Sequence, residues 1–219
     1  MREAFLRSLQ PDVILIVSLF EGYFDDAVTS IGKLDNNTPV SVVLHDLIPL
    51  IHQERYLGDP NFRNHYFEKI QSIKRAKLLL SISESSAQEA ITHLSWSSDG
   101  VVNISSAADD FFKPVRISPV EAEGLYKKFG ISKPFILYVG GADDRKNIRG
   151  LIEAYIALPQ TLRSDVQLVI AGKLPKAYIA HLLQGRDYNS NILFTGEKEV
   201  SDNDLLKLYN LCKLFVFPS

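Results

Sequence analysis

Cysteine is nearly absent from this sequence, which has a single one, Cys212, among its 219 residues. No disulfide can therefore form within the chain, and the shortage fits a reducing compartment. We expect Cys212 to serve as a small apolar residue of a helix rather than as a nucleophile. The cytoplasm is the predicted location.

Long hydrophobic runs are missing too. The longest apolar run near the start, residues 13–17, has only the length of a strand, so the sequence predicts neither a signal peptide nor a transmembrane helix. A helix predicted over residues 63–76 ends in basic residues. These compensate the helix dipole or, in a second interpretation, contact an anionic membrane surface. The inner face of the membrane is thus a further candidate location.

A strong net charge is absent as well, since the formal net charge is −2. This argues against nonspecific binding to nucleic acid. The charge is nevertheless uneven: residues 1–113 hold 10 Lys and Arg against 15 Asp and Glu, whereas residues 114–219 hold 14 against 11. An anionic ligand therefore meets a more favourable field in the second half.

What the sequence does contain is a regular alternation of short apolar runs and helical patterns. Runs that are apolar throughout are typical of parallel strands covered on both faces, so the predicted fold class is α/β and doubly wound. Eight runs are predicted as strands, at residues 13–17, 40–44, 78–82, 101–104, 135–139, 168–171, 192–195 and 214–217.

A different kind of segment, residues 105–134, separates the fourth strand from the fifth and contains three prolines and one helical pattern. It is the best candidate for a domain boundary. We predict a first domain over residues 1–113 and a second over residues 114–219, each with four strands. Ligands of such sheets bind beyond the carboxyl ends of the strands, so the loops after each strand are the places to inspect.

The loop after the fifth strand combines features of an anion site. Gly140 and Gly141 allow close approach of a ligand, and three cations are predicted at the beginning of the following helix, where the dipole disfavours them unless an anion is bound. These cations are Arg145, Lys146 and Arg149. An ordinary loop, in which Asp143 and Asp144 neutralise the cations, is the equally weighted alternative.

Three other strand ends carry candidate site residues. His45 and Asp46 follow the second strand, where His45 is either a ligand-binding residue or a structural histidine, and Asp46 is a candidate to fix its tautomer or to orient a substrate hydroxyl. Gly196 follows the seventh strand and permits close approach of a ligand. An acidic cluster, Glu21, Asp25 and Asp26, is interpreted as a solvated loop rather than a metal site.

Four segments together have a recognisable order and spacing. They are residues 45–50 (HDLIPL), residues 80–86 (LSISESS), residues 138–147 (YVGGADDRKN), and residues 194–196 (FTG) with residues 201–205 (SDNDL) and 214–219 (LFVFPS). In this combination the chain resembles family 4 of the retaining glycosyltransferases, also called glycosyltransferase group 1, and its mannosyltransferase-like branch. The resemblance covers most of the chain and implies the GT-B fold, which has two Rossmann-like doubly wound domains.

The resemblance implies transfer of a hexose, with mannose favoured, from a nucleotide-diphosphate sugar to a glycan or lipid-linked acceptor. The anomeric configuration would be retained and neither metal nor other cofactor used. It implies that Lys146, helped by Arg145, stabilises the leaving diphosphate, and that Gly140, Gly141 and Gly196 line the donor site. His45, as a second catalytic residue, and Asp46 would lie on the side of the acceptor and transferred sugar.

Two further expectations follow from the family pattern. Its acceptor loop would precede residue 1 and its glutamate-containing loop would follow residue 219, so we expect both domains to be incomplete and the chain to be part of a longer one. The alternative function is a noncatalytic module that binds nucleotide sugars or acts as a scaffold. A Rossmann oxidoreductase is disfavoured because no Gly-x-Gly-x-x-Gly follows any predicted strand.

Overall fold

The computed structural model describes residues 1–184, 191–196 and 199–219. The chain divides into two compact units, Met1–Ala107 and Ala108–Ser219. Each unit has a four-stranded parallel sheet flanked by helices, and every one of the eight predicted strands is present. The predicted α/β class with two Rossmann-like sheets is confirmed.

In the first unit, the sheet has the strand order β1-β2-β3-β4. Its strands are β1 (Ile14–Ile16), β2 (Val40–Leu44), β3 (Leu78–Ser81) and β4 (Val101–Asn103). Its helices are α1 (Arg2–Ser8), α2 (Ile48–Ile51), α3 (Gln53–Tyr56), α4 (Pro60–Ile73) and α5 (Glu84–Leu94).

Side-chain caps set the starts of the two long helices of this unit. Ser83 caps α5, as its position before the helical pattern predicts, by accepting a hydrogen bond from the backbone N–H of Ser86. Helix α4 begins three residues before the predicted start at residue 63. The reason is that Asp59 accepts from the N–H of Phe62 and Pro60 occupies the first turn, where its missing N–H costs nothing.

The sheet of the first unit is buried on one face and partly open on the other. Alternate residues of β2, Val40, Val42 and Leu44, enter the core. On β1 and directly beside it, Val13, Leu15 and Val17 are each more than half exposed. This exposure is unusual for a parallel sheet, whose faces are normally both covered.

In the second unit, the strand order is β7-β6-β5-β8. Its strands are β5 (Phe135–Val139), β6 (Gln167–Ala171), β7 (Ile192–Phe194) and β8 (Leu214–Phe215). Its helices are α6 (Pro119–Phe129), α7 (Ile148–Ile156), α8 (Gln160–Asp165), α9 (Lys176–Leu183) and α10 (Asp202–Leu211). All five residues of β6 are buried, so this strand is the centre of the unit.

Helix α10 closes one side of the second sheet and begins with a reciprocal cap. Ser201 Oγ accepts from the N–H of Asp204, and the Asp204 carboxylate accepts from the N–H of Ser201, so the two residues form a capping box. Lys128 on α6 donates to the same carboxylate at 2.8 Å. These contacts join α10 to α6.

The boundary between the units lies six residues before the predicted position at 113/114. Residues 108–113 belong to the second unit because α10 holds them. The side-chain amide of Asn210 donates to the carbonyl of Lys113 and accepts from the N–H of Val115. The ring of Phe112 packs edge-on against Tyr209.

Among the helices in the described ranges, none has the length and apolar character needed to cross a membrane.

Candidate functional site

The carboxyl ends of β5, β6 and β7 meet at two glycines. Gly140 donates its N–H to the carbonyl of Ala171 at 2.9 Å, and Gly172 donates its N–H to Thr195 Oγ1 at 3.1 Å. Gly172 has φ +150°, and a Cβ there would overlap the carbonyl of Gly140. Only glycine permits this close approach of the two strand ends.

Beneath Gly140 lies the side chain of Tyr138, which is fully buried. Its hydroxyl has no hydrogen-bond partner in the described structure, and it fills the space that a Cβ on Gly140 would need. Burial raises the pKa of this phenol, and the nearby carboxylate of Asp143 raises it further. The sequence shows Tyr138 directly before Val-Gly-Gly, but no local pattern indicates that its hydroxyl is buried.

The loop after β5 differs from the prediction in where the helix begins. Arg145 and Lys146 lie in a 3₁₀ turn, Asp144–Lys146, rather than in the first turn of α7. Asn147 separates the two elements with a left-handed backbone (φ 49°) and caps α7 by accepting from the N–H of Gly150. Of the three predicted cations, only Arg149 is within the helix.

Arg145 is paired with a neighbouring carboxylate. Its Nε and Nη2 donate to Asp143 Oδ2 at 2.9 and 2.7 Å, while Asp143 Oδ1 accepts from the backbone N–H of Arg145. The hydrogen bonds from the Arg145 side chain are the main reason that the pKa of Asp143 lies below its ordinary value. Arg145 therefore fits the second interpretation of this loop, in which a neighbouring aspartate neutralises the cation.

Lys146 has a different environment. It is half-buried, and its Nζ lies 4.8 Å from the centroid of the Phe217 ring. Within the described part of the chain its ammonium group makes no ion pair. In the loop that follows Gly140 and Gly141, Lys146 thus presents a positive charge whose contact among the described residues is an aromatic ring rather than a carboxylate.

The other residues predicted in this unit each have different surroundings. Arg149 Nη2 lies 2.7 Å from His181 Nε2, and because a guanidinium can only donate, this nitrogen of His181 accepts and is unprotonated. Gly196 follows β7 with φ +52° and is half-buried near Ile179. Cys212 is half-buried at the end of α10, and burial raises the pKa of its thiol, as suits a packing residue.

In the first unit, His45 directly follows β2 and is exposed. Its Nε2 lies 3.1 Å from the carbonyl oxygen of Val17. A carbonyl can only accept, so Nε2 carries the proton and, in the neutral ring, Nδ1 is left as an acceptor. Asp46 Oδ1 instead accepts from the N–H of Ile48 at 3.0 Å. Val17, and not Asp46, therefore fixes the tautomer of His45.

The acidic loop after β1 is organised by local hydrogen bonds. Glu21 accepts from Ser18 Oγ at 2.9 Å, and Asp25 accepts from the N–H of Ala27 at 2.7 Å. Across the described ranges, no group of three or more His, Cys, Asp and Glu residues is arranged to hold a metal ion.

A family match covers most of the second unit. The segment that contains the Gly140–Gly141 turn, Lys146 and α10 matches the family model of Glycosyl transferases group 1, over residues 126–219. The resemblance recognised in the sequence is confirmed.

Curated relatives extend the similarity to the whole chain. The serotype-specific mannosyltransferase WbdA of Escherichia coli is 40% identical over 222 residues, which is 100% of this chain and 27% of the relative. The O-antigen chain mannosyltransferase B of Escherichia coli is 32% identical over 165 residues, 73% of this chain and 42% of the relative. The chain thus spans about a quarter of the length of WbdA.

Solved structures support the fold. A glycosyltransferase from Rickettsia africae ESF-5 has a TM-score of 0.63 at 13% identity, over 99% of this chain and 53% of that one. Anabaena Alr3699/HepE in complex with UDP and glucose has a TM-score of 0.61 at 18% identity, over 83% and 46% of the two chains. The predicted GT-B class is confirmed by these neighbours.

Proposed function

We propose that this chain is part of a retaining hexosyltransferase that transfers a sugar, with mannose favoured, from a nucleotide-diphosphate donor to a glycan or lipid-linked acceptor in polysaccharide synthesis. Two observations outside the chain support this function. The relatives WbdA and O-antigen chain mannosyltransferase B are mannosyltransferases by name, and the HepE structure holds UDP and glucose. Within the chain, the ammonium of Lys146, which makes no ion pair with the described residues and follows Gly140 and Gly141 in the same loop, carries the proposal.

The second unit, which contains the predicted second domain (residues 114–219), would bind the donor. The backbone N–H of Gly141 and the charge of Lys146 would hold the diphosphate, Gly140 would allow its close approach, and Gly196 would lie near the base. During transfer, negative charge develops on the leaving diphosphate, and a cation already in place stabilises that charge without reorganisation. This role explains how transfer would proceed without a metal. Arg145 would contribute once its pairing with Asp143 is weakened.

The first unit would bind the acceptor and the transferred sugar. His45 is suited to a sugar hydroxyl because its Nδ1 is left as an acceptor while Val17 holds Nε2. Asp46 is half-buried, and among the residues that the structure describes no donor contacts its second carboxylate oxygen, which leaves that oxygen for a hydroxyl donor. For a lipid-linked acceptor, the protein would work in the cytoplasm at the inner face of the membrane.

The structure modifies the basis for membrane contact at the end of α4. Arg75 donates through Nε to the carbonyl of Ile31 and through Nη2 to Ser72 Oγ, so this cation has an internal role. Lys74 and Lys77 are exposed beside it. A peripheral membrane contact at this point would therefore depend on the two lysines.

Thermal unfolding with and without GDP, UDP or GDP-mannose tests the donor site. We expect one nucleotide to raise the unfolding temperature of the wild type, since a ligand that binds only the folded state stabilises it. Lys146→Ala should abolish this shift. Lys213→Ala is the matched control, because it removes the same charge at the exposed amino end of β8 and should leave the shift intact.

The outcomes separate the leading function from its alternative. Equal protection of wild type and Lys146→Ala would refute the assignment of the diphosphate site. Protection that depends on Lys146, but no sugar transfer by the full-length parent protein with GDP-mannose or UDP-glucose, would favour a noncatalytic nucleotide-sugar-binding or scaffold module. Transfer that is lost in Lys146→Ala would establish the enzyme.

A further inference from the structure

The contact between Lys146 and Phe217 joins the loop after β5 to the segment after β8. The Phe217 ring stacks nearly parallel to the ring of Tyr138, with centroids 6.3 Å apart and an interplanar angle of 13°. It also stacks on Phe215, at 6.4 Å and 24°. Phe217 is thus the middle ring of an aromatic row, and the Lys146 ammonium lies 4.8 Å from its centroid.

Backbone and side-chain hydrogen bonds fix the position of this ring. The N–H of Val216 donates to the carbonyl of Leu137 at 2.9 Å. On the other side of Phe217, the Asn147 amide donates to the carbonyl of Pro218 at 3.4 Å. The ring is 50% exposed, so it does not serve simply as a core residue. Its place is defined by the same loop that carries Lys146.

An aromatic partner suits a lysine that must bind an anion. A carboxylate would hold the ammonium firmly but would also cancel its charge and repel a phosphate, as Asp143 does at Arg145. The face of a phenyl ring attracts a cation through its quadrupole and carries no net charge. It can therefore restrict the flexible side chain of Lys146 while leaving its full charge for the ligand.

We propose that Phe217 is a positioning residue, which holds the Lys146 ammonium ready for the diphosphate. The proposal rests on the donor site described under the proposed function. It assigns a role to a residue that contacts neither the reacting atoms nor the phosphate, and that acts through Lys146 alone.

Three substitutions in this 219-residue chain test the role. Phe217→Trp keeps an aromatic face, Phe217→Leu keeps an apolar side chain without one, and Phe111→Leu is a control at another part-exposed phenylalanine of the same unit. GDP affinity is measured by calorimetry. The protons of the Lys146 ε-methylene are followed by NMR, because a ring face shifts them upfield.

If Phe217 positions Lys146, Phe217→Leu weakens GDP binding by about three- to tenfold and moves the ε-methylene signal to the position of a free lysine. Phe217→Trp retains both properties, and Phe111→Leu changes neither. The NMR signal reports the contact between the ring and Lys146 directly. A ring with only a structural role would not shift this signal.

Two results would overturn the positioning role. One is wild-type GDP affinity in Phe217→Leu, with binding still lost in Lys146→Ala. The other is equal weakening in Phe217→Leu and Phe217→Trp. GDP binding that is independent of Lys146 would instead refute the donor site itself, so the two failures can be told apart.

Discussion

The guanidinium of Arg145 lies on the carboxylate of Asp143, with Nη2 2.7 Å from Oδ2, at the point where we place the donor diphosphate. The negative charge of Asp143 repels an incoming anion. It also pairs with Arg145, one of the two cations that the anion could otherwise contact. Asp143→Asn should remove the charge and keep the loop, since an asparagine oxygen can still accept from the N–H of Arg145.

We therefore expect Asp143→Asn to tighten GDP binding, by about two- to fivefold at low salt, with a smaller gain at high salt. Calorimetry at two salt concentrations measures both effects. Asp165→Asn is the control, because it makes the same change at the end of α8, before the amino end of β6. Weaker binding in Asp143→Asn would show that the carboxylate serves the ligand rather than opposing it.

The close approach of Gly172 to Gly140 predicts a large effect of one methyl group. Gly172→Ala should destabilise the fold by roughly 2–4 kcal/mol, because its φ of +150° is strained for alanine and its Cβ would meet backbone rather than a movable side chain. Gly124→Ala, where a Cβ meets nothing within 4 Å on α6, should stabilise by about 0.5–1 kcal/mol.

Urea unfolding of both variants measures the two free energies. A loss below about 1 kcal/mol for Gly172→Ala would mean that β5 and β6 can separate at their carboxyl ends, contrary to the tight approach seen between Gly140 and Gly172.

The sequence was sufficient for the eight strands and for two of the helix caps, since these depend on local patterns. Uninterrupted apolar runs identified the buried strands, and Ser83 and Ser201 preceded helical patterns in the positions that caps occupy. The start of α7 could not be read in this way. It depends on the left-handed backbone of Asn147, a conformation that the preceding Arg-Lys pair does not reveal.

Contacts between distant segments were beyond sequence reasoning. The spacing brought Arg145 and Lys146 together as equivalent cations, whereas the structure pairs one with Asp143 and places the other over Phe217, 71 positions along the chain. Likewise, Asp46 was the nearest candidate to orient His45 in sequence, but β1 runs beside β2 and brings the carbonyl of Val17 to the imidazole.

Removal of the buried hydroxyl of Tyr138 should not destabilise the fold. An unsatisfied buried polar group loses its hydrogen bonds to water on folding, so Tyr138→Phe should leave the free energy of unfolding unchanged or raise it by up to about 1 kcal/mol. Tyr155→Phe is the contrasting control, because its hydroxyl donates to the carbonyl of Val166 at 2.7 Å and its loss should destabilise by about 1 kcal/mol. Equal destabilisation in both would reveal a hidden partner of Tyr138.

Glu3 anchors α1 to the loop before β2 through a buried carboxylate. Its oxygens accept from Ser30 Oγ and from the backbone N–H groups of Lys33, Leu34 and Asp35, at 2.5 to 3.1 Å. Burial alone raises the pKa of Glu3, but these four hydrogen bonds outweigh it and the net pKa is lowered. The folded state therefore favours the ionised form.

A lowered pKa in the folded state makes the contribution of Glu3 dependent on pH. It is present above the unfolded pKa of about 4.3 and is lost as the pH falls through the folded value. Glu3→Gln replaces one of the two acceptor oxygens by an amide NH2 that faces other donors and removes the negative charge, so it should cost about 2–3 kcal/mol at pH 7 and less at pH 3. Urea unfolding at both values measures this, with Glu123→Gln on the exposed side of α6 as the control. A cost for Glu3→Gln that does not change with pH would contradict the lowered pKa, because only the ionised carboxylate gains from the four donors.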